Sequence, residues 1–118
     1  MAGQLVPLVM APRWTTYIGE GEFGTAPLDV SRYATAYLTF WRSAASGDSF
    51  KAEFQTSHDA AQWFNEIAAI TTAGATDRLV IPLSRRWFRL LVTLEEDETF
   101  HYAAVTAWAV GSLELRVE

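Results

Sequence analysis

An alternation of side chains with a period of two is the feature that most constrains how this chain folds. In residues 33–41, every second side chain is Ala, Leu or Phe, and those between them are Tyr, Thr or Trp. Residues 50–56 and 87–94 alternate in a similar way. Because successive side chains of a strand point to opposite faces, each segment predicts a strand with one face in the core.

Other segments complete an all-β prediction. Short strands are predicted at residues 5–10, 14–18 and 113–118, and the almost wholly apolar residues 99–110 predict a central strand covered on both faces. The only plausible helix spans residues 57–67. About seven or eight strands with no βαβ alternation predict an antiparallel two-sheet β-sandwich or jelly roll with at most one short helix.

Length and composition predict one domain. The 118 residues contain no linker or repeat, so residues 1–118 form a single sandwich, with residues 1–12 as an amino-terminal arm or an edge strand. Half of the residues are apolar and 14% are aromatic, which suits a packed core. The absence of cysteine excludes disulfides and thiolate metal sites, and no cofactor is expected.

Charge and hydropathy exclude two kinds of partner. The formal net charge of −5 opposes binding to nucleic acid. Residues 1–12 are apolar but carry two prolines and no basic residue before the apolar stretch, which makes a poor signal peptide. The longest apolar run, residues 103–110, is too short to cross a bilayer. We therefore expect a soluble protein with no membrane partner.

Two short motifs suggest chemistry but lack the context for it. Residues 19–24 match G-x-G-x-x-G, yet Pro27 follows, no helical period begins there, and two glutamates oppose a phosphate. Residues 57–59 read Ser-His-Asp, but neighbouring side chains diverge and cannot form a catalytic triad. We expect no enzymatic activity.

Four consecutive carboxylates, residues 95–98, form an acidic run. Clustered carboxylates can collect a hard cation such as calcium, but the spacing matches no known loop pattern. A solvated turn explains them equally well, and no metal site is predicted.

The surplus of aromatic residues is the main sign of function. Tyr33, Tyr37 and Trp41 share one strand face, and Trp87 lies on the mixed face of another strand beside arginines. Such a stripe either packs inside the sandwich or, if exposed, binds a protein or a sugar.

The two ends of the chain offer further candidates. They either pair with the sheet edge of a neighbouring molecule or form ordinary edge strands. The partner-binding candidates are therefore Leu5, Val6, Leu8, Tyr37, Trp41, Arg85, Arg86, Trp87, Leu113 and Leu115.

A resemblance rests on two motifs. Residues 54–59, Phe-Gln-Thr-Ser-His-Asp, precede Trp63, and residues 86–89, Arg-Trp-Phe-Arg, precede a long apolar final strand. This pattern resembles a family of small β-sandwich proteins encoded among the virion genes of tailed bacteriophages. It covers residues 30–110, and related sandwiches serve as capsid decoration proteins, tail accessory parts and carbohydrate-binding modules.

The resemblance implies a role and a turn. The role is a virion structural protein, preferably a capsid decoration (cement) protein that binds the major capsid protein or another virion protein as a dimer or trimer. The alternatives are a tail or head-tail accessory protein and a carbohydrate-binding module. The fold-defining turn comprises Gln55, Ser57, Asp59 and Trp63, and Ala60 stands where a glycine is usual, which predicts a wider or helical turn.

Overall fold

The computed structural model describes residues 4–43, 49–71, 73–95 and 103–117. Within these ranges the regular structure consists of strands alone. They are β1 (Leu5–Ile18), β2 (Gly21–Gly24), β3 (Leu28–Asp29), β4 (Tyr33–Arg42), β5 (Ser49–Ser57), β6 (Phe64–Asn65), β7 (Gly74–Pro82), β8 (Trp87–Glu95) and β9 (Ala104–Leu115).

The strands form two antiparallel sheets. Sheet A has the order β1-β9-β4-β7, and sheet B has the order β2-β8-β5-β6, with the short β3 also paired to β8. If β2 and β3 are taken as two halves of one strand, all connections but β5–β6 cross from one sheet to the other. This interleaved order is that of a jelly roll and confirms the predicted fold class.

Aromatic side chains from both sheets fill the core. Phe40 of sheet A is fully buried, and its ring centroid lies 6.0 Å from that of Phe54 in sheet B. Phe54 in turn stacks on Phe88, and Phe50 stacks on Phe40. Burying each such ring contributes on the order of 2–3 kcal/mol, so alternation in β4, β5 and β8 directly supplies the core.

Strand β9 lies at the predicted central position of its sheet, but the burial of its two faces differs from the prediction. Strand β9 pairs with β1 on one side and β4 on the other, so it is central as predicted. Between Ala104 and Val110 only alternate residues are buried, and those between them are half-buried, so the prediction of cover on both faces was wrong there. Residues 99–102 of the predicted strand lie outside the described residues. The strand continues through Gly111, where a Cβ atom would lie 1.9 Å from the Tyr37 carbonyl oxygen, so only glycine permits this close approach.

The structure differs from the sequence-based expectations in local detail. Residues 57–67, where at most one short helix was expected, form a turn followed by β6, because Phe64 and Asn65 pair with β5. No strand was predicted at β2 or at β7. Residues 5–10 and 14–18 belong to one long strand, β1, whose register shifts twice along β9. Strand β1 lies at an edge of sheet A, as one of the two alternatives for residues 1–12 required.

Candidate interaction surface

The outer face of sheet A collects the exposed apolar side chains of the molecule. We call it the aromatic face. The described residues include seven large hydrophobic side chains that are strongly exposed, and sheet register and ring contacts place five of them here. These five are Leu5 (56% exposed), Val9 (59%), Trp14 (69%), Ile18 (67%) and Val80 (56%). The other two, Phe64 and Val117, lie elsewhere.

Three tryptophans, Trp14, Trp41 and Trp108, form a row of large side chains on the aromatic face, which we call the tryptophan row. Trp41 and Trp108 are directly paired across β4 and β9, and their rings stack with centroids 6.2 Å apart. Trp14 packs edge-on against Trp41 at 5.4 Å, from a left-handed position (φ 67°) where β1 changes register. The Arg13 guanidinium lies 4.6 Å above the Trp108 ring. The Trp108 Nε1 atom is buried and has no hydrogen-bond partner among the described residues.

A lower row lies beside this tryptophan row. Val110 follows Trp108 by two residues on β9 and pairs with Val9 of β1 and Thr39 of β4. We call these three residues the valine row. Because alternate residues of a strand share one face, the tryptophan row and the valine row are neighbours on the aromatic face. The side chains of the tryptophan row are large, and those of the valine row are small.

The aromatic face carries little net charge. Among the side chains that the structure describes, the charged group on this face besides Arg13 is Glu114, whose Oε1 accepts a hydrogen bond of 3.2 Å from the Tyr37 hydroxyl. Partial burial, and then this hydrogen bond to a carboxylate, raise the pKa of Tyr37. The two charges cancel, although the chain as a whole carries −5. Arg78 lies at the rim, in edge strand β7.

The outer face of sheet B has the opposite character, and we call it the polar face. Arg89 donates a hydrogen bond of 2.9 Å to Gln55, which donates to Asn65 at 2.9 Å, and Asn65 donates to Glu53 at 2.8 Å. The Arg89 guanidinium also lies 4.2 Å above the Trp63 ring. Its partial burial lowers the pKa of Arg89. The polar groups of this face therefore satisfy one another within the chain.

The predicted turn closes the same sheet. The buried Ser57 hydroxyl accepts the N–H of Ala60 at 2.9 Å, and an oxygen of Asp59 accepts the N–H groups of Ala61 at 2.9 Å and Gln62 at 3.0 Å. These bonds to Gln62 and Ala61, and a further one to Ser57, hold the pKa of Asp59 below its ordinary value. Ala60 adopts φ 61°, a left-handed conformation that glycine reaches more easily.

The structure divides the predicted partner-binding residues among several places. Leu5, Tyr37 and Trp41 lie on the aromatic face. Leu8 and Leu113 are core residues (9% and 6% exposed), so their side chains do not form a free surface.

The remaining predicted residues lie apart from the aromatic face. Val6 and Leu115 are half-buried and pair within sheet A. Arg85 forms an ion pair of 2.8 Å with Glu66, and Arg86 forms one of 3.0 Å with Asp29 and lies over Trp87. These two arginines are engaged within the chain and stabilise loops at one end of the sandwich.

Sequence reasoning missed five residues of the aromatic face: Val9, Trp14, Ile18, Val80 and Trp108. Val9 and Val80 look like ordinary strand residues, and Trp108 lies inside an apolar run that predicts burial on both faces. Trp14 faces outward only because β1 shifts register beside it. A signal existed for Trp108 alone, since it alternates with Ala107 and Ala109.

The Ser-His-Asp motif of residues 57–59 does not form a triad in the structure. The Ser57 hydroxyl is bonded within its own turn, while His58 is exposed. No group of three or more metal-ligating side chains occurs in the part of the chain that the structure describes. Glu95 ends β8, and Glu96–Glu98 of the acidic run lie outside the described residues.

Comparisons with protein-family models, with curated proteins and with solved structures found no match. No helix among the described residues is long and apolar enough to span a membrane.

Proposed function

We propose that this protein is a non-catalytic structural component of a tailed-phage virion, and that its aromatic face is covered by protein in the assembly. Decoration of the capsid, with the major capsid protein lattice as the eventual partner, is the role that we favour. The observation that carries the proposal is the concentration of five of the seven exposed large hydrophobic side chains on one sheet face.

Exposed apolar surface is unfavourable in water. Apolar area that remains in contact with water costs about 25 cal/mol per Å², and soluble monomers rarely expose a large contiguous apolar patch. Tryptophan and tyrosine are also enriched at the centres of protein interfaces. A face that carries Trp14, Trp41, Trp108 and Tyr37 is therefore suited to being covered by protein.

The virion setting is supported by the resemblance of residues 54–59, Trp63 and residues 86–89. Ala60, at the position where that family usually has a glycine, adopts a left-handed conformation that glycine reaches more easily, which is compatible with the resemblance. A jelly roll by itself serves viral capsids and lectins alike, so the fold does not choose between these roles. Many copies on a lattice would bind firmly even if each contact were weak.

The decisive experiment is cryo-electron microscopy of purified particles from the source. Density for this 13.2 kDa sandwich at regular positions on the shell, with the aromatic face in a protein contact, supports the proposal. Absence of the protein from every particle overturns the virion role. Density on the tail replaces decoration by the accessory role.

A carbohydrate-binding role is the second candidate, favoured by one observation. The Trp14 ring is 69% exposed, on a face that also presents threonine hydroxyls such as Thr16 and Thr106. An aromatic ring beside hydroxyl groups is a suitable platform for a sugar ring. A glycan array probed with the protein and with Trp14→Ala tests this candidate, and an array with no hits ends it.

A further inference from the structure

The composition of the aromatic face points to a particular occupant. We infer that the aromatic face pairs with the aromatic face of a second copy of this chain, which gives a symmetric dimer of two sandwiches packed face to face. The inference rests on the proposed function in that both treat the aromatic face as a surface for docking protein. It adds the identity of the partner.

The charge distribution permits a second copy to pack on the aromatic face. Two chains that each carry −5 repel one another over most of their surfaces. On the aromatic face, Arg13 and Glu114 cancel, so two copies can approach there without a net like-charge contact. An interface made mostly of Val, Ile, Trp and Thr also leaves few charged groups to desolvate.

The size of the face matches what a dimer needs. Sheet A has four strands about 4.8 Å apart, and about ten residues along each strand rise about 3.3 Å apiece, so its face measures roughly 19 by 33 Å, or about 600 Å². Side chains that project from the plane increase the accessible area beyond this value. Specific interfaces bury about 800 Å² per partner, so a face of this size suffices.

The relief of the face is self-complementary. The tryptophan row lies next to the lower valine row of Val9, Thr39 and Val110. A two-fold axis that runs across the strands, between the two rows, places the tryptophan row of each copy opposite the valine row of the other. Bulky side chains then meet small ones, which is how packed sheets interdigitate at a separation of about 10 Å. The contact is isologous and closes at two subunits.

Sedimentation equilibrium on the purified full chain tests this inference with a matched pair of substitutions. Val9 and Val117 are the same residue with nearly the same exposure (59% and 61%), but only Val9 lies on the aromatic face. Val80→Glu supplies a second position on that face (56% exposed). Circular dichroism confirms that each variant folds.

The wild-type chain is expected to sediment at twice 13.2 kDa at about 100 μM protein, where a dissociation constant in the micromolar range gives mostly dimer. Val9→Glu and Val80→Glu are each expected to weaken dimerisation at least about 30-fold, because each buries an unpaired charge. Val117→Glu is expected to leave the dimer unchanged. A monomeric wild type at this concentration, or a dimer that survives both Val9→Glu and Val80→Glu, overturns the inference.

Particle binding separates this inference from the proposed function. A wild-type monomer whose binding to virus particles is lost in Val9→Glu and kept in Val117→Glu shows that the aromatic face docks a different protein. That result overturns the dimer and retains the virion role. A dimer that obeys the expected pattern but is absent from all particles retains the dimer and overturns the virion role.

Discussion

The two outer faces of this sandwich are built from strands of similar alternation, yet one exposes polar groups that bond to one another and the other exposes apolar side chains. On the polar face, Arg89, Gln55, Asn65 and Glu53 form a continuous chain of hydrogen bonds, and the arginine also covers Trp63. On the aromatic face, exposed valine, isoleucine and tryptophan side chains have no such cover. The polar groups of the polar face are satisfied within one chain, while the apolar side chains of the aromatic face stay exposed, which is why we propose that protein packs on it.

We expect changes on the two faces to affect different properties, folding stability for the polar face and association for the aromatic face. Changes on the polar face act on the stability of the single chain, because the partners that they disrupt are in the same chain. If the aromatic face docks protein as we propose, changes there act on association, because the contacts that they disrupt belong to another molecule.

The largest effect is expected from Arg89→Ala, with Arg13→Ala as its matched control. Each arginine lies over a tryptophan, at 4.2 Å and 4.6 Å, one on each face. Arg89 also bonds the buried Gln55, so its loss is expected to cost about 2 kcal/mol of unfolding free energy, against about 0.5 kcal/mol for Arg13. Urea denaturation of both variants measures the difference. Equal losses contradict the division between the faces.

The sequence predicted what depends on alternation within one strand. Strands β4, β5 and β8 are confirmed, because the inward alternation of residues such as Leu38, Phe54 and Val92 is visible in the sequence. Strand β7 was missed because the alternation is interrupted at Arg78, where the chain takes φ 59° and the pairing with β4 changes register.

The aromatic face was predictable only in part, because it depends on pairing between strands. The alternation of β4 placed Tyr37 and Trp41 on one face. The sequence does not show that Trp108 pairs with Trp41, since that contact is set by the register of two strands 67 residues apart along the chain. Trp14 joins them through an irregularity of β1 that no period reveals.

A smaller effect, of opposite sign, is expected from Ala60→Gly in the turn beside the polar face. Ala60 has φ 61°, and a left-handed conformation costs a residue other than glycine about 1–2 kcal/mol. The greater freedom of glycine in the unfolded chain offsets part of this gain, so a net stabilisation of about 0.5–1 kcal/mol is expected. Thermal unfolding measures it, with Ala61→Gly as the control, and a destabilised Ala60→Gly contradicts the argument.

Acid is expected to lower stability through two aspartates, neither of which is placed on the aromatic face. Hydrogen bonds from Gln62 and Ala61 lower the pKa of Asp59, and those from Ser31 lower the pKa of Asp29. A carboxyl whose pKa is lower in the folded state stabilises that state above its unfolded pKa, and this contribution is lost as pH falls through the folded pKa. We therefore expect the melting temperature to decrease as the pH is lowered below about 4, where free aspartate titrates.

Asp59→Asn tests the source of this acid sensitivity. The variant lacks one of the two titrating groups, so its melting temperature is expected to fall less between pH 5 and pH 3 than that of the wild type. Both proteins are measured in the same buffers. If the melting temperature of the variant decreases between pH 5 and pH 3 by as much as that of the wild type, the acid sensitivity comes from other carboxyl groups.

The smallest effect on folding is expected from the paired change Val9→Thr and Val80→Thr on the aromatic face. Threonine keeps the β-branched shape that strands favour, and both positions are more than half exposed, so the free energy of unfolding should change by less than about 0.5 kcal/mol. Binding of a hydrophobic dye to the folded protein should fall, because the apolar patch is interrupted. If instead the variant loses stability in proportion to the two lost methyl groups, these valines already pack within the single chain, and the aromatic face needs no partner.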